Sequence, residues 1–134
     1  MALDLFFDET DRPRTQGLVK ATVQIGAHKE SVRPHVGLWS KQDYADHWQT
    51  GRDLCARGSA FVVLATSYAP DNWDLWVGRK TIEGHRFFNC LVPVRLGDVQ
   101  ISGKTLSLSD YDDFSPDRDE EVSKWDVKLA DIVT

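Results

Sequence analysis

The feature that most constrains the fold is a single amphipathic helix predicted within an otherwise β-rich chain of 134 residues. Over residues 41–57, Tyr44 and Trp48 fall on one side of a helical repeat, and most charged side chains fall on the other. Ser40 is a favourable N-cap residue, and Gly58 is favourable directly after the last turn. The pattern therefore predicts one helix with defined ends.

Three residues of this helix carry finer predictions. Asp43 lies three residues after Ser40, so its carboxylate is expected to complete a reciprocal cap. Cys55 lies on the apolar side and is expected to be a core residue, as is usual for a thiol in such a position. Gly51 lies on the same side, where glycine costs about 1 kcal/mol relative to alanine. We interpret it as a close approach of the helix to a sheet.

The rest of the chain has the pattern of short strands. Apolar residues that alternate or run continuously predict strands at 3–7, 18–26, 30–36, 59–67, 73–79, 85–94 and 125–129, a hairpin turning at 102–104 and a helical turn at 130–134. The strands at 59–67 and 85–94 are apolar on both faces, which is typical of central strands. We therefore predict one α+β domain over residues 1–134, with a mainly antiparallel meander and the main helix (about 40–57) packed on one face.

This prediction leaves one face of the sheet without a cover. A single helix covers one face only, whereas two strands are apolar on both. Sheet curvature, a terminal segment, a second copy of the chain or a partner protein must cover the other face. From the residues alone, this is the reason to expect an interaction protein.

Negative charge is concentrated near the end of the chain. Residues 1–109 hold 13 basic and 12 acidic side chains, whereas residues 110–134 hold 3 basic and 9 acidic ones, so the sums of +1 and −6 give the net charge of −5. Seven carboxylates form the acidic segment, residues 110–121: Asp110, Asp112, Asp113, Asp117, Asp119, Glu120 and Glu121. The segment is interpreted either as a solvated loop or as a patch that attracts a basic partner. Nucleic acid is disfavoured as a partner, because phosphates require a basic surface.

Motifs for catalysis, metals or cofactors are absent from the sequence. The four histidines show no zinc-ligand spacing, and there is no nucleophile elbow, Walker loop or dinucleotide fingerprint. The acidic segment lacks the calcium-loop pattern, and Cys55 and Cys90 are expected to be reduced thiols. No targeting signal and no apolar run of about 18 residues is present. We therefore predict a cytoplasmic protein that is not an enzyme, needs no cofactor and has no membrane partner.

Several motifs stand out where the helix begins: Trp39-Ser40, then Asp43-Tyr44, then Trp48. Others lie along residues 18–132: Gln24-Ile25-Gly26 with Glu30, Leu38, Gly58, Thr66-Ser67-Tyr68, the strand from Trp73 to Arg79, Ser123-x-Trp125-x-Val127 and Asp131-Ile132. Together these motifs resemble the immunity proteins of contact-dependent growth inhibition systems. The chain departs from that pattern at Pro34 and His35, where a more regular strand is expected, and in the acidic segment.

The resemblance implies a function without catalysis. An immunity protein binds the C-terminal domain of a cognate toxin and blocks its active site or the path of its substrate. Toxin domains of such systems are often nucleases with basic grooves, so the seven carboxylates of the acidic segment are the predicted toxin-binding residues, imitating a phosphate backbone.

Two alternatives stay open at this point. One is a structural or regulatory homo-oligomer, for example a homodimer, whose uncovered sheet face pairs with itself. The other is a small ligand-binding domain or enzyme with a pocket between the helix and the sheet, near Tyr44, Trp48 and Trp125.

Overall fold

The computed structural model describes residues 3–8, 17–111 and 124–133. The strands are β1 (Leu3–Phe7), β2 (Ala21–Ile25), β3 (His28–Val32), β4 (Phe61–Tyr68), β5 (Asn72–Lys80), β6 (Gly84–Pro93), β7 (Val99–Ser102), β8 (Thr105–Leu108) and β9 (Lys124–Lys128). The helices are α1 (Lys41–Ala56) and α2 (Leu129–Val133), with a 3-10 turn at Val94–Leu96. The strands form a three-stranded sheet, β1-β2-β3, and a six-stranded sheet, β7-β8-β4-β5-β6-β9. All paired strands are antiparallel, which confirms the predicted α+β class.

The ends of α1 are set by the residues that the sequence indicates. The Ser40 hydroxyl accepts a hydrogen bond from the Asp43 N–H at 3.1 Å, and the Asp43 carboxylate accepts one from the Ser40 N–H at 2.8 Å. Gly58 has a φ of +73° and donates its N–H to the Cys55 carbonyl at 3.0 Å. This left-handed glycine ends the helix, because other residues adopt that conformation at a cost.

Gly51 confirms the predicted close approach of the helix to the sheet. A Cβ atom at this position would overlap the Leu64 Cδ2 atom on β4 and would lie 3.8 Å from Val62 Cγ1. The missing side chain therefore lets α1 lie directly on β4, which offsets the helix propensity that glycine gives up.

Helix α1 and the three-stranded sheet pack side by side on one face of the six-stranded sheet. The register places Leu64, Trp76 and Phe87 on this face. Helix α1 covers Leu64, and His28 of β3 packs over Trp76 with ring centroids 5.9 Å apart. The N-terminal strands are therefore a second covering element beside the helix, and residues from both sheets and α1 form one hydrophobic core.

The opposite face of the six-stranded sheet is buried as well. Val63, Ala65, Leu75, Val77 and Phe88 lie on that face and are each at most 3% exposed. The chain by itself therefore removes both faces of the central strands from water. Neither face of these strands therefore requires a partner protein or a second copy of the chain as its cover.

Three local predictions need correction. The strand predicted at 30–36 is β3 at His28–Val32, because the turn before it takes only Gly26 and Ala27. Strand β6 is not buried on both faces along its whole length, because Leu91 is 67% exposed. The last strand ends at Lys128, and Leu129 begins α2 instead of continuing the alternation.

Candidate functional site

The acidic segment is the first candidate surface, and the structure describes only its beginning. Asp110 is exposed and follows β8 closely. The other predicted binding residues, Asp112, Asp113, Asp117, Asp119, Glu120 and Glu121, lie outside the described residues.

Tyr111 attaches the start of the acidic segment to the six-stranded sheet. Its ring stacks on the ring of Phe61 with centroids 4.0 Å apart and planes 15° apart. The Arg79 guanidinium donates a hydrogen bond to the Tyr111 carbonyl at 3.0 Å and lies 5.2 Å from the Phe61 ring centroid. Beyond the segment, Lys124 begins β9 in register with Phe88 of β6. The six-stranded sheet therefore holds the described residues at both ends of the segment.

An open groove of about 1220 Å³ is the second candidate surface. Three parts of the fold line it: the β2–β3 turn at residues 26–27, the β5–β6 turn at residues 81–83, and the run from β9 into α2. Its volume exceeds the roughly 300–1,000 Å³ of most small-molecule pockets. The groove is therefore large enough for a segment of another protein.

An ion pair between β6 and β9 lines the groove. Arg86 Nε donates to Asp126 Oδ1 at 2.8 Å, and Arg86 Nη2 donates to Asp126 Oδ2 at 3.2 Å. These hydrogen bonds lower the pKa of the Asp126 carboxyl below its usual value. Both side chains are more than half exposed, so the pair orients two charges in the groove and contributes little to stability.

Two glycines bring the turns against β9. A Cβ atom on Gly26 would overlap the Asp126 carbonyl oxygen, and one on Gly84 would overlap the Val127 carbonyl oxygen. Any larger residue at either position would push a turn away from β9. The glycines thus allow the β2–β3 and β5–β6 turns to lie against β9.

Ile82 stands at the tip of the β5–β6 turn, beside the groove. Its relative exposure of 106% exceeds that of every other large apolar residue in the described part of the chain. The sequence contains the signal, because isoleucine is unusual in a tight hairpin turn, where Gly, Asn, Asp, Pro and Ser predominate. Ile82 falls between the strands predicted at 73–79 and 85–94 and is not among the predicted binding residues.

The buried histidines bond to backbone atoms and have a structural role. His47 Nε2 accepts the Ala65 N–H at 2.9 Å, so its Nδ1 carries the proton and donates it to the Lys104 carbonyl at 2.6 Å. His85 Nε2 lies 2.6 Å from the Ser59 carbonyl oxygen. Burial lowers the pKa of His47 to about 4 and also lowers that of His85.

The two cysteine thiols are weak nucleophiles, and the described acidic residues form no metal-binding cluster. Burial raises the pKa of the Cys55 and Cys90 thiols to about 12, which keeps them protonated and weakly nucleophilic at neutral pH. Within residues 3–8, 17–111 and 124–133, no group of three or more His, Cys, Asp or Glu side chains is placed to hold a metal ion.

The pocket proposed near Tyr44, Trp48 and Trp125 is filled by the side chains themselves. The Tyr44 hydroxyl donates to the His35 carbonyl at 2.6 Å, and Trp48 Nε1 donates to the Ala65 carbonyl at 2.8 Å. Both residues are at most 1% exposed. Trp125 lies on β9, where its ring stacks on His28 with centroids 4.2 Å apart. The three aromatic residues therefore do not enclose a ligand site.

No helix in the described residues has the length and apolar character needed to cross a membrane.

The fold has a relative among solved structures. No protein-family model and no curated protein matches the sequence. A chain of the CdiA-CT/CdiI toxin and immunity complex from Enterobacter cloacae superimposes with a TM-score of 0.69 and 15% identity, over 98% of this chain and 93% of that chain. At this identity the likeness shows a common fold, and at that level it confirms the predicted resemblance to immunity proteins of contact-dependent growth inhibition.

Proposed function

We propose that this chain is an immunity protein, which binds a cognate toxin domain in the cytoplasm and blocks its active site or the path of its substrate. The observation that carries the proposal is the common fold with a chain of a toxin and immunity complex over 98% of this chain. The surface supports binding, because it combines a large open groove, a fully exposed apolar side chain and a concentrated negative charge.

Two observations weaken the alternative functions, which are a homo-oligomer and a ligand-binding domain. A homo-oligomer was inferred from an uncovered sheet face, and the central residues of both faces are buried within one chain. A ligand-binding domain was inferred from space near Tyr44 and Trp48, and both side chains are buried and hydrogen-bonded.

The test is co-expression with the C-terminal domain of the protein encoded immediately upstream, which the proposal takes to be the toxin. We expect this chain to rescue cells that express the toxin domain, and the two purified proteins to form a complex that stays together in size-exclusion chromatography. An immunity protein from a different toxin system is the control and should not rescue. Absence of both rescue and binding would refute the proposed function.

A finer part of the proposal is that the toxin is a nuclease delivered by contact-dependent inhibition and that the acidic segment occupies its basic groove. The support is the charge of −6 on residues 110–134 against +1 on the rest of the chain. Carboxylates spaced along a segment attract the cationic side chains that otherwise hold phosphates, which raises the association rate.

Neutralising Asp112, Asp113, Asp119 and Glu120 to Asn or Gln should slow association by about 10-fold at low salt and flatten its salt dependence, because the steering field is lost. Stopped-flow association rates at several salt concentrations measure the effect. Two double variants remove the same amount of charge. One pair is Asp112→Asn and Asp113→Asn in the acidic segment, and the other pair is Asp46→Asn and Asp53→Asn on the exposed side of α1. If both pairs change the rate equally, the segment acts only through net charge.

A further inference from the structure

We infer that the groove beside the β5–β6 turn is where the toxin domain docks, with a basic surface loop of the toxin in the groove and Ile82 buried in an apolar pocket of the toxin. The inference rests on the proposed immunity function and locates the interface on residues that the structure describes. It is independent of the acidic segment.

Ile82 has the chemistry of an interface anchor. With a relative exposure of 106%, it makes no covering contact in the free chain, whereas the next most exposed large apolar residue, Leu91, is 67% exposed. An isoleucine in this position gains the full free energy of burial when a partner covers it. A few residues that fill well-packed pockets of the partner account for most of the affinity at protein interfaces.

The turn that carries Ile82 is rigid before any partner binds. Thr81 N–H donates to the Gly84 carbonyl at 2.8 Å, and Gly84 N–H donates to the Thr81 hydroxyl at 3.1 Å. Leu129 N–H donates to the Glu83 carbonyl at 2.8 Å and fastens the turn to α2. A preordered turn loses little conformational entropy on binding, so more of the burial energy appears as affinity.

A second exposed apolar residue, Leu129, is bonded through its backbone to the turn that carries Ile82. Leu129 is 40% exposed and is joined to the turn through its bond to Glu83. Ile82 lines the groove of about 1220 Å³, as does Lys128, which directly precedes Leu129. The volume of about 1220 Å³ exceeds that of most small-molecule pockets and fits a protein segment better than a free metabolite.

The charge of the groove favours a basic occupant. Arg86 and Asp126 neutralise each other, which leaves Glu83 and Asp131 against Lys128 among the ionisable lining residues. Glu83 and Asp131 contribute −2 and Lys128 contributes +1, so the lining of the groove has a net charge of −1. This negative charge complements a cationic loop.

The test compares Ile82→Asp with Leu96→Asp, a matched change at another exposed aliphatic residue, which is 60% exposed and does not line the groove. Isothermal titration with the purified toxin domain should give a Kd raised about 30-fold or more for Ile82→Asp and within about 3-fold of wild type for Leu96→Asp. Ile82→Thr, which keeps the branched shape, should raise the Kd by about 5-fold, because part of the apolar surface remains. Thermal unfolding of each variant checks that it is folded.

The outcomes separate the docking site from the immunity role. If wild type binds and both Ile82 variants bind equally well, the groove is not the interface and the immunity function stands. If wild type does not bind the toxin domain, both inferences are overturned. If light scattering shows a dimer that Ile82→Asp converts to a monomer of 15.2 kDa, the surface serves a second copy and the toxin-docking inference is wrong.

Discussion

Replacing His47 with leucine should lower the free energy of unfolding by about 3–5 kcal/mol, a larger effect than most single substitutions have. His47 is 1% exposed and bridges two strands that pair with each other at a single position, Val63 with Leu106. One ring nitrogen accepts the Ala65 N–H of β4, and the other donates to the Lys104 carbonyl beside β8. The imidazole therefore supplies hydrogen bonds where the backbone ladder between β4 and β8 is missing.

Leucine fills most of the same volume but bonds to neither strand. The Ala65 N–H and the Lys104 carbonyl would then be left without these partners, and each such loss costs about 1–3 kcal/mol. The β7–β8 hairpin would keep its Lys104–Asp43 ion pair at 2.6 Å, which is partly exposed and contributes little. Urea unfolding followed by tryptophan fluorescence measures the difference.

Gln49→Leu is the matched control, since Gln49 lies on the exposed side of the same helix. Its free energy of unfolding should stay within about 0.5 kcal/mol of wild type, as is usual for surface positions. A His47→Leu variant within about 1 kcal/mol of wild type would show that the bridge does not hold β8 to β4.

Acid should destabilise this protein well above the pH at which its carboxylates protonate. Burial lowers the pKa of His47 from its usual 6.5 to about 4. Because the folded-state pKa lies below the unfolded-state pKa, the unfolded chain binds the proton first. The contribution of His47 to stability is therefore complete above pH 6.5 and is lost as the pH falls towards 4. The full difference corresponds to about 3 kcal/mol.

The measurement is the free energy of unfolding from about pH 7 to about pH 5 for wild type and His47→Leu. Wild type should lose stability over this range, and the variant should lose clearly less. His85 and Asp74 are present in both proteins, so the comparison separates their effects from that of His47. Burial lowers the pKa of His85, which therefore also reduces stability as the pH falls. Burial raises the pKa of Asp74, which therefore has the opposite effect on stability. Identical slopes for the two proteins would show that His47 is not the group responsible.

The helix was predictable because its determinants lie within a few residues of one another. Ser40 and Asp43 form the expected reciprocal cap, and α1 begins at Lys41 and ends at Ala56, one residue earlier than predicted. The apolar side predicted from the repeat is the buried one, with Tyr44, Trp48 and Cys55 in the core. Capping and amphipathicity act over one or two turns, so the sequence contains them in full.

Of the candidate site, the sequence predicted only the concentration of negative charge. The acidic segment is visible in the sequence, and its role as a toxin-binding surface stays a prediction, since Asp112 to Glu121 lie outside the described residues. The groove was not predictable. It depends on Gly26 and Gly84 each meeting β9, which lies far along the chain from both.

The sequence by itself determined the fold class, the ends of α1 and the buried side of β2, because repeats and caps are local. Tertiary structure decided that the N-terminal strands form their own sheet beside α1, that His47 joins β4 to β8, and that Ile82 stands fully exposed beside the groove. His47 meets partners 18 and 57 residues away. Contacts of such long range depend on how whole elements pack, and no local pattern of residue types specifies them.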